Sequence, residues 1–310
     1  MALNELLSYG MLTASTIMFG FMFFFSDIFR KNYGSGLQAT MVSSIGGGIV
    51  GFIAILIIKV APVGLAAVIS EIKNGFSPFV VIMSLVSVLN GILFSFCSLK
   101  ALGKINLSLY SLFSMLGGMA LPFISGILFH SEPLTLAKTV CFIIITLAIC
   151  MTVEKGEKKS GIIYYIGVFI FNGMSGVISK IYTAAPYVKM DSAGYSLFKT
   201  VVSVLVAVIV LMFIKKDNRK LNWKCIGAMA GSGTLNHVAN WLVLIALYTL
   251  PASVQYPFIT GGTMIVSTVI SLFMAKKPTK KEIAAVILSF VGILLLIFIP
   301  DIELFAINWG

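Results

Sequence analysis

The chain has 310 residues, 59% of them hydrophobic and 11% charged, with a formal net charge of +11. Soluble domains carry roughly 25% charged residues, so this composition excludes an ordinary soluble globular protein. It also excludes nucleic acid as a partner, because the lysines sit in short loops between apolar runs, where they act as orientation signals and lipid-headgroup contacts.

A helix needs about 17–25 apolar residues to cross a bilayer. Ten such runs can be drawn, at roughly 8–29, 37–58, 78–99, 107–129, 136–153, 161–181, 193–214, 225–248, 252–275 and 283–299. Each is expected to be helical, because backbone groups in hydrocarbon need partners within their own segment. The first run starts near Ser8 without a basic leader or a small-residue cleavage site, so no separate signal peptide is expected. After the second run, Val63–Lys73 is amphipathic and is expected at the membrane interface. The connections Gly103–Asn106 and Thr249–Pro251 are so short that spans three and four, and eight and nine, must form antiparallel hairpins. Cys97, Cys141, Cys150 and Cys225 lie in or beside apolar runs with no CxxC spacing. They read as packing residues, with no metal site and no cofactor expected.

Glu154–Ser160 is a polar, glycine-containing linker near the midpoint. It divides the chain into residues 1–153, the linker 154–160 and residues 161–310, with five spans on each side. Five is odd, so the second half must enter the membrane with opposite orientation, as an inverted repeat. Residue echoes support duplication. At one offset Ala101-Leu102 matches Ala246-Leu247, Ser108 matches Ser253, Phe113 matches Phe258, Gly117 matches Gly262 and Met119 matches Met264. At another, Gly20 matches Gly173, Ser26 matches Ser179 and Asp27 matches Lys180. Leu89-Asn90 matches Leu235-Asn236 with one residue of slippage. The expected fold is therefore all-α and integral to the membrane: ten transmembrane helices in two inverted five-helix repeats around a central cavity.

Sixteen of the 22 Lys and Arg residues fall in the odd-numbered loops and five in the even ones. That bias places the odd loops in the cytoplasm and both termini outside.

Ionisable groups within a span cost about 2.5–3.5 kcal/mol on insertion scales. This chain has Asp27, Lys180, Lys199 and His237. Asp27 and Lys180 are related by the repeat and are expected to face one cavity, pairing with each other or with a zwitterion; snorkelling to headgroups is the plainer alternative. Lys199, one turn after Tyr195, is placed to meet an anionic group or to snorkel. In the eighth span Asn236 and Asn240 share one helix face, and His237 and Trp241 share the adjacent one. Gln255 and Tyr256 open the ninth span, and Asn90, Tyr110 and Asn172 add polar groups from the third, fourth and sixth. Together these are the candidate substrate-binding residues. No Walker, GxSxG or HExxH pattern occurs, so an enzyme is not expected.

Leu128-Phe129-His130-Ser131-Glu132-Pro133-Leu134-Thr135, followed by the apolar run to Met151, resembles the fourth-to-fifth helix signature of the drug/metabolite transporter superfamily, EamA-type branch. Ala246–Ser271 resembles its eighth-and-ninth-helix pattern, and Phe19-Gly20 sits where the family often has Trp-Gly. Three positions depart from the pattern: Ser131 replaces the usual glycine, Lys276-Lys277 stands in place of Gly-Glu, and Asp27 replaces a basic residue. The resemblance implies a cavity lined by helices one, three, four, six, eight and nine, with five and ten peripheral. It also implies cytoplasmic termini, against the charge count. Its functional implication is a secondary transporter of a small organic metabolite such as an amino acid, nucleotide-type compound, amine or sugar derivative, in a bacterial-type cell membrane. The excess of lysine over acid in the spans favours zwitterionic or anionic, amino-acid-like cargo, with proton coupling open. The competing readings are a flippase for a lipid or lipid-linked sugar and a non-transporting membrane scaffold; the mid-helix amides and histidine count against the scaffold.

Overall fold

The computed structural model describes residues 3–102, 107–151, 162–214, 220–272, 279–298 and 303–305. The expected linker at 154–160 and the Gly103–Asn106 connection lie outside these residues. A helix stands at each of the ten expected spans: α1 Leu3–Tyr33, α2 Leu37–Val63, α4 Pro78–Leu102, α5 Leu107–Phe129, α6 Leu136–Met151, α7 Ile162–Ala184, α8 Ser192–Phe213, α9 Trp223–Ala246, α10 Ala252–Leu272 and α11 Lys280–Phe298. The amphipathic stretch forms α3, Leu65–Gly75. It separates from α2 at Gly64, whose φ of 83° is a conformation that favours glycine. Two short strands, β1 Leu134–Thr135 and β2 Glu303–Phe305, pair antiparallel.

Helix α1 runs past the expected end at residue 29. Asp27 pairs with Arg30 and Lys31 one turn on, at 2.7 and 2.6 Å, and these local pairs carry the helix beyond its apolar run. Helix α8 is capped by Asp191, whose side chain accepts from the Gly194 amide, and α9 by Asn222, which accepts from Cys225.

Among the described residues five helices, α1, α2, α4, α7 and α8, are individually long and apolar enough to cross a membrane. The outer surface is apolar as well. Ile57, Leu205, Ile287 and Phe213 are all well exposed, which only a lipid environment makes favourable. The chain is an integral membrane protein.

The packing joins the two halves rather than separating them. α1 lies against α9 and α10, and α7 lies against α4 and α5. α2 packs on α9 and α8 on α4, while α5 faces α10 and α6 faces α11. Exchanging each span for its counterpart in the other half maps this set of contacts onto itself. Lipid gives helices no hydrophobic reason to associate, so the seams rely on close backbone approach. Gly117 of α5 leaves no room for a side chain against the Phe169 backbone of α7, and Gly173 of α7 meets Gly117 in return. Their repeat counterparts do the same on the other side: Gly262 of α10 lies on Thr16 of α1, and Gly20 of α1 on Val266 of α10.

Candidate functional site

A cavity of about 330 Å³ lies among α1, α2, α4, α5, α7, α8, α9 and α10. The second and seventh spans therefore join the six helices that the resemblance implied, while α6 and α11 pack on each other at the periphery. Its wall is rich in hydroxyls and amides, with twelve serines, three threonines and four asparagines. Phe19, Phe23, Phe29 and Phe94 supply the aromatic part. Lys199 and His237 are its ionisable cation and imidazole, and no Asp or Glu lines it among the described residues.

The polar wall is pinned by inter-helix hydrogen bonds. Asn90 of α4 donates to the Phe171 carbonyl and Ser175 hydroxyl of α7, at 2.9 and 2.8 Å. Asn172 of α7 donates to the Ser114 carbonyl of α5 at 2.6 Å and to its hydroxyl at 3.1 Å. Within α9, Asn240 Nδ2 donates to the Asn236 carbonyl and side-chain oxygen. The Thr200 hydroxyl donates to the Ser196 carbonyl, so its oxygen accepts from His237 Nδ1 at 3.0 Å, and Nε2 is left as an acceptor. Tyr110 shares a hydrogen bond with Ser98, and Tyr256 donates to the Gly176 carbonyl.

Of the sequence candidates, Asn90, Tyr110, Asn172, Asn236, His237, Asn240, Tyr256 and Lys199 line the cavity. Four do not. Trp241 packs with Ile55, Leu197 and Val238, because α9 turns its 236, 237, 240 and 243 positions to the cavity and the next face to α2. Gln255 is fully buried behind the wall and donates to the Val243 carbonyl at 2.8 Å, bracing the end of α9. Asp27 and Lys180 do not pair with each other: Asp27 is taken by Arg30 and Lys31, and Lys180 by Glu132 at 2.7 Å. Sequence reasoning missed Ser196 and Ser203, which with Lys199 form a helical stripe along α8. Their i, i+3, i+7 spacing was the available signal.

Two apolar clusters border the cavity, reaching its wall through Phe29 and Leu99 on one side and Ile178 on the other. At the α1–α2 end, Phe29, Tyr33, Ala39, Leu99, Cys225 and Ala228 meet, with Phe25 and Met229 against them. At the α7–α8 end, Val80, Met83, Ile178, Tyr182, Met190, Tyr195 and Leu244 meet. Under the repeat these draw on matching positions to within a residue: Phe25 and Ile178, Phe29 and Tyr182, Leu99 and Leu244, Cys225 and Val80, Ala228 and Met83.

The ends differ in reinforcement. At the α7–α8 end Tyr182 and Tyr195 stack at 3.7 Å, and the Tyr195 hydroxyl bonds Ser87 at 2.8 Å. Two ion clusters cross between the halves there. Lys59 binds Asp191 and Glu71 at 2.8 and 2.9 Å. Glu132 binds Lys180 and accepts from the Ala252 and Ser253 amides, both at 2.9 Å, so it caps α10. Burial pushes the Glu132 carboxyl up, but the Lys180 ammonium and the Ser253 amide outweigh it and hold the group below its ordinary value. At the α1–α2 end the acidic residue, Asp27, is satisfied within α1.

The EamA-like transporter family model matches residues 159–298, a stretch that holds α7 through α11. Over residues 159–298 the chain is similar to the EamA-like transporter family. This stretch brings Asn172, Lys199, Asn236, His237, Asn240 and Tyr256 to the cavity wall. No curated protein matches the sequence. A crystal structure of another protein, 12% identical, is similar with a TM-score of 0.69 over 93% of this chain and 95% of that one. At such identity the likeness speaks to the fold alone, over nearly the whole chain.

Proposed function

We propose that the chain is a secondary transporter that carries a small polar organic metabolite, zwitterionic or anionic and amino-acid-like in size, across a bacterial-type cell membrane by alternating access. The carrying observation is a hydroxyl- and amide-lined cavity between two halves, bordered at each end by a cluster drawn from matching positions. In this reading residues 1–153 and 161–310 are inverted five-span repeats of a ten-span bundle. The cavity is the shared site, and rocking of one half on the other opens one cluster while the other stays packed. Serine hydroxyls and asparagine amides give a polar cargo hydrogen bonds in place of water, and the phenylalanines pack its apolar part. The absence of a lining carboxylate among the described residues disfavours simple amine cations.

The test is counterflow. Proteoliposomes loaded with one unlabelled candidate from a panel of amino acids, organic acids and amines are diluted into its labelled form. Accumulation above protein-free vesicles is expected for an acidic or zwitterionic member, and repeating it with an imposed pH gradient separates proton-coupled uptake from exchange. Uptake no faster than protein-free vesicles across the whole panel, from protein that still unfolds cooperatively, would sink the reading.

A further inference from the structure

Several charged groups among the described helices are satisfied from within the protein. Asp27 has Arg30 and Lys31, Lys59 has Glu71 and Asp191, and Glu132 has Lys180 and the start of α10. Lys189 donates to the carbonyls of Tyr182, Thr183 and Ala185. Lys199 has no such partner. Among the described residues its ammonium meets neither a carboxylate nor a carbonyl, and its charge faces only the Tyr195 ring, 5.6 Å from the centroid.

Its place on the cavity wall favours a cavity role over snorkelling. Lys199 is seven residues into α8, about 10 Å along the axis at 1.5 Å per residue, and it stands on the cavity wall rather than at a helix end. Ser196 and Ser203, one turn on either side, share that wall. An ammonium held in a low-dielectric interior without a counter-charge is costly, and the cost is met when an anion arrives.

We propose that Lys199 is the anchor for an acidic group of the cargo, a carboxylate or a phosphate ester, seated between the ammonium and the Ser203 hydroxyl, with the Ser196 hydroxyl, which donates to the Ser192 carbonyl, beside it. This rests on the transporter reading and narrows it. The cargo carries a negative group, and its opposite pole, an ammonium or hydroxyls, faces the Asn236–Asn240 amides across the cavity. A cation without an acidic group is not cargo. The adjacent His237 is held through Nδ1 by Thr200, which leaves the ammonium as the one fixed charge at that wall.

The experiment is thermal unfolding of the full-length protein in detergent, as wild type, Lys199→Met and Lys199→Arg. The probes are amino acids, their decarboxylated amines, their amides, the matching carboxylic acids and phenyl phosphate. Acid-bearing probes are expected to raise the wild-type midpoint in a dose-dependent way, with amines and amides inert. Carboxylates against phenyl phosphate tell which acid is taken. Lys199→Arg keeps the response and Lys199→Met loses it by tenfold or more in apparent affinity. Without any probe, Lys199→Met is expected to unfold a few degrees higher, because an uncompensated charge has been removed; a merely structural lysine would give a fall. Amines or amides stabilising as well as acids, Lys199→Met responding like wild type, no probe shifting the wild type, or a lower unliganded midpoint would each overturn the anchor. Lys199→Arg folded but unresponsive to every acid would do the same. Counterflow of an amide or amine by the wild type would leave the transporter reading intact while the anchor fails.

Discussion

The two ends of the cavity are built from matching positions, yet they are packed by different means. At the α7–α8 end the cluster residues are large: Tyr182, Tyr195, Met83 and Met190. At the α1–α2 end Ala228 and Cys225 answer Met83 and Val80 with less bulk, while Phe29 answers Tyr182. Charge diverges in the same direction. Asp27 and Lys180 occupy repeat-related positions, but Asp27 is used inside one helix whereas Lys180 binds Glu132 across the halves. In the proposed two-gate reading, bulk and long-range ion pairs make the α7–α8 end the firmer.

The sharpest way to break this comparison is Glu132→Gln. It leaves Lys180 without its counter-charge and weakens the cap on α10, and removing one partner of a buried pair costs about 3–5 kcal/mol. The expected outcome is a clearly lowered unfolding midpoint, with faster labelling of a cysteine placed at Ser179 from the α7–α8 side. The pH dependence has a defined sign. The folded-state pKa of Glu132 is depressed, so its contribution is fully present above the usual glutamate value of about 4.3 and is lost as pH falls through the folded value. The difference in unfolding midpoint between wild type and Glu132→Gln is expected to be flat from neutral pH down to about the ordinary glutamate value and to shrink below it.

Gly117→Ala comes next. Its new methyl meets the Phe169 backbone, which cannot move aside as a flexible side chain can. Overpacking of this kind costs about 1–3 kcal/mol, read as loss of thermal stability. Gly262→Ala at the counterpart seam meets only the Thr16 side chain and is expected to lose less. The double change Cys225→Val with Ala228→Met copies the bulk of the firmer end onto the lighter one. The added bulk enters buried positions, where overpacking costs about 1–3 kcal/mol; the folded variant is expected to slow counterflow several-fold while keeping ligand-induced thermal shifts. The smallest effect is assigned to Asp27→Asn, since i, i+3 and i, i+4 pairs of this partly exposed kind contribute about 0.3–0.5 kcal/mol. A midpoint change as large as that of Glu132→Gln would dissolve the contrast between the ends.

Much of the architecture was legible because the bilayer leaves few options. Long apolar runs had to be helices, and Gly64 with Pro62 marked the break that frees α3. Asn236, His237 and Asn240 were legible as cavity residues, since amides in hydrocarbon need a reason to be there. Trp241 and Gln255 misled because helix rotation is set by packing, and neither sequence neighbour nor residue type reports which face α9 turns to α2. The expected Asp27–Lys180 pair lost to closer partners, Arg30 one turn along the same helix and Glu132 brought in from the α5–α6 connection. The Glu132 latch joins residues more than a hundred positions apart, and no local pattern encodes such a contact.

The most direct measurement takes the protein with its four cysteines replaced and one introduced at Ser203, midway along the cavity wall of α8. Sealed vesicles of known orientation are treated with a membrane-impermeant maleimide from each side in turn. A site served by two gates predicts modification from both sides, faster through the α1–α2 end, with Glu132→Gln shifting the balance toward the other. Reaction from one side alone under every condition, or from neither, would contradict it.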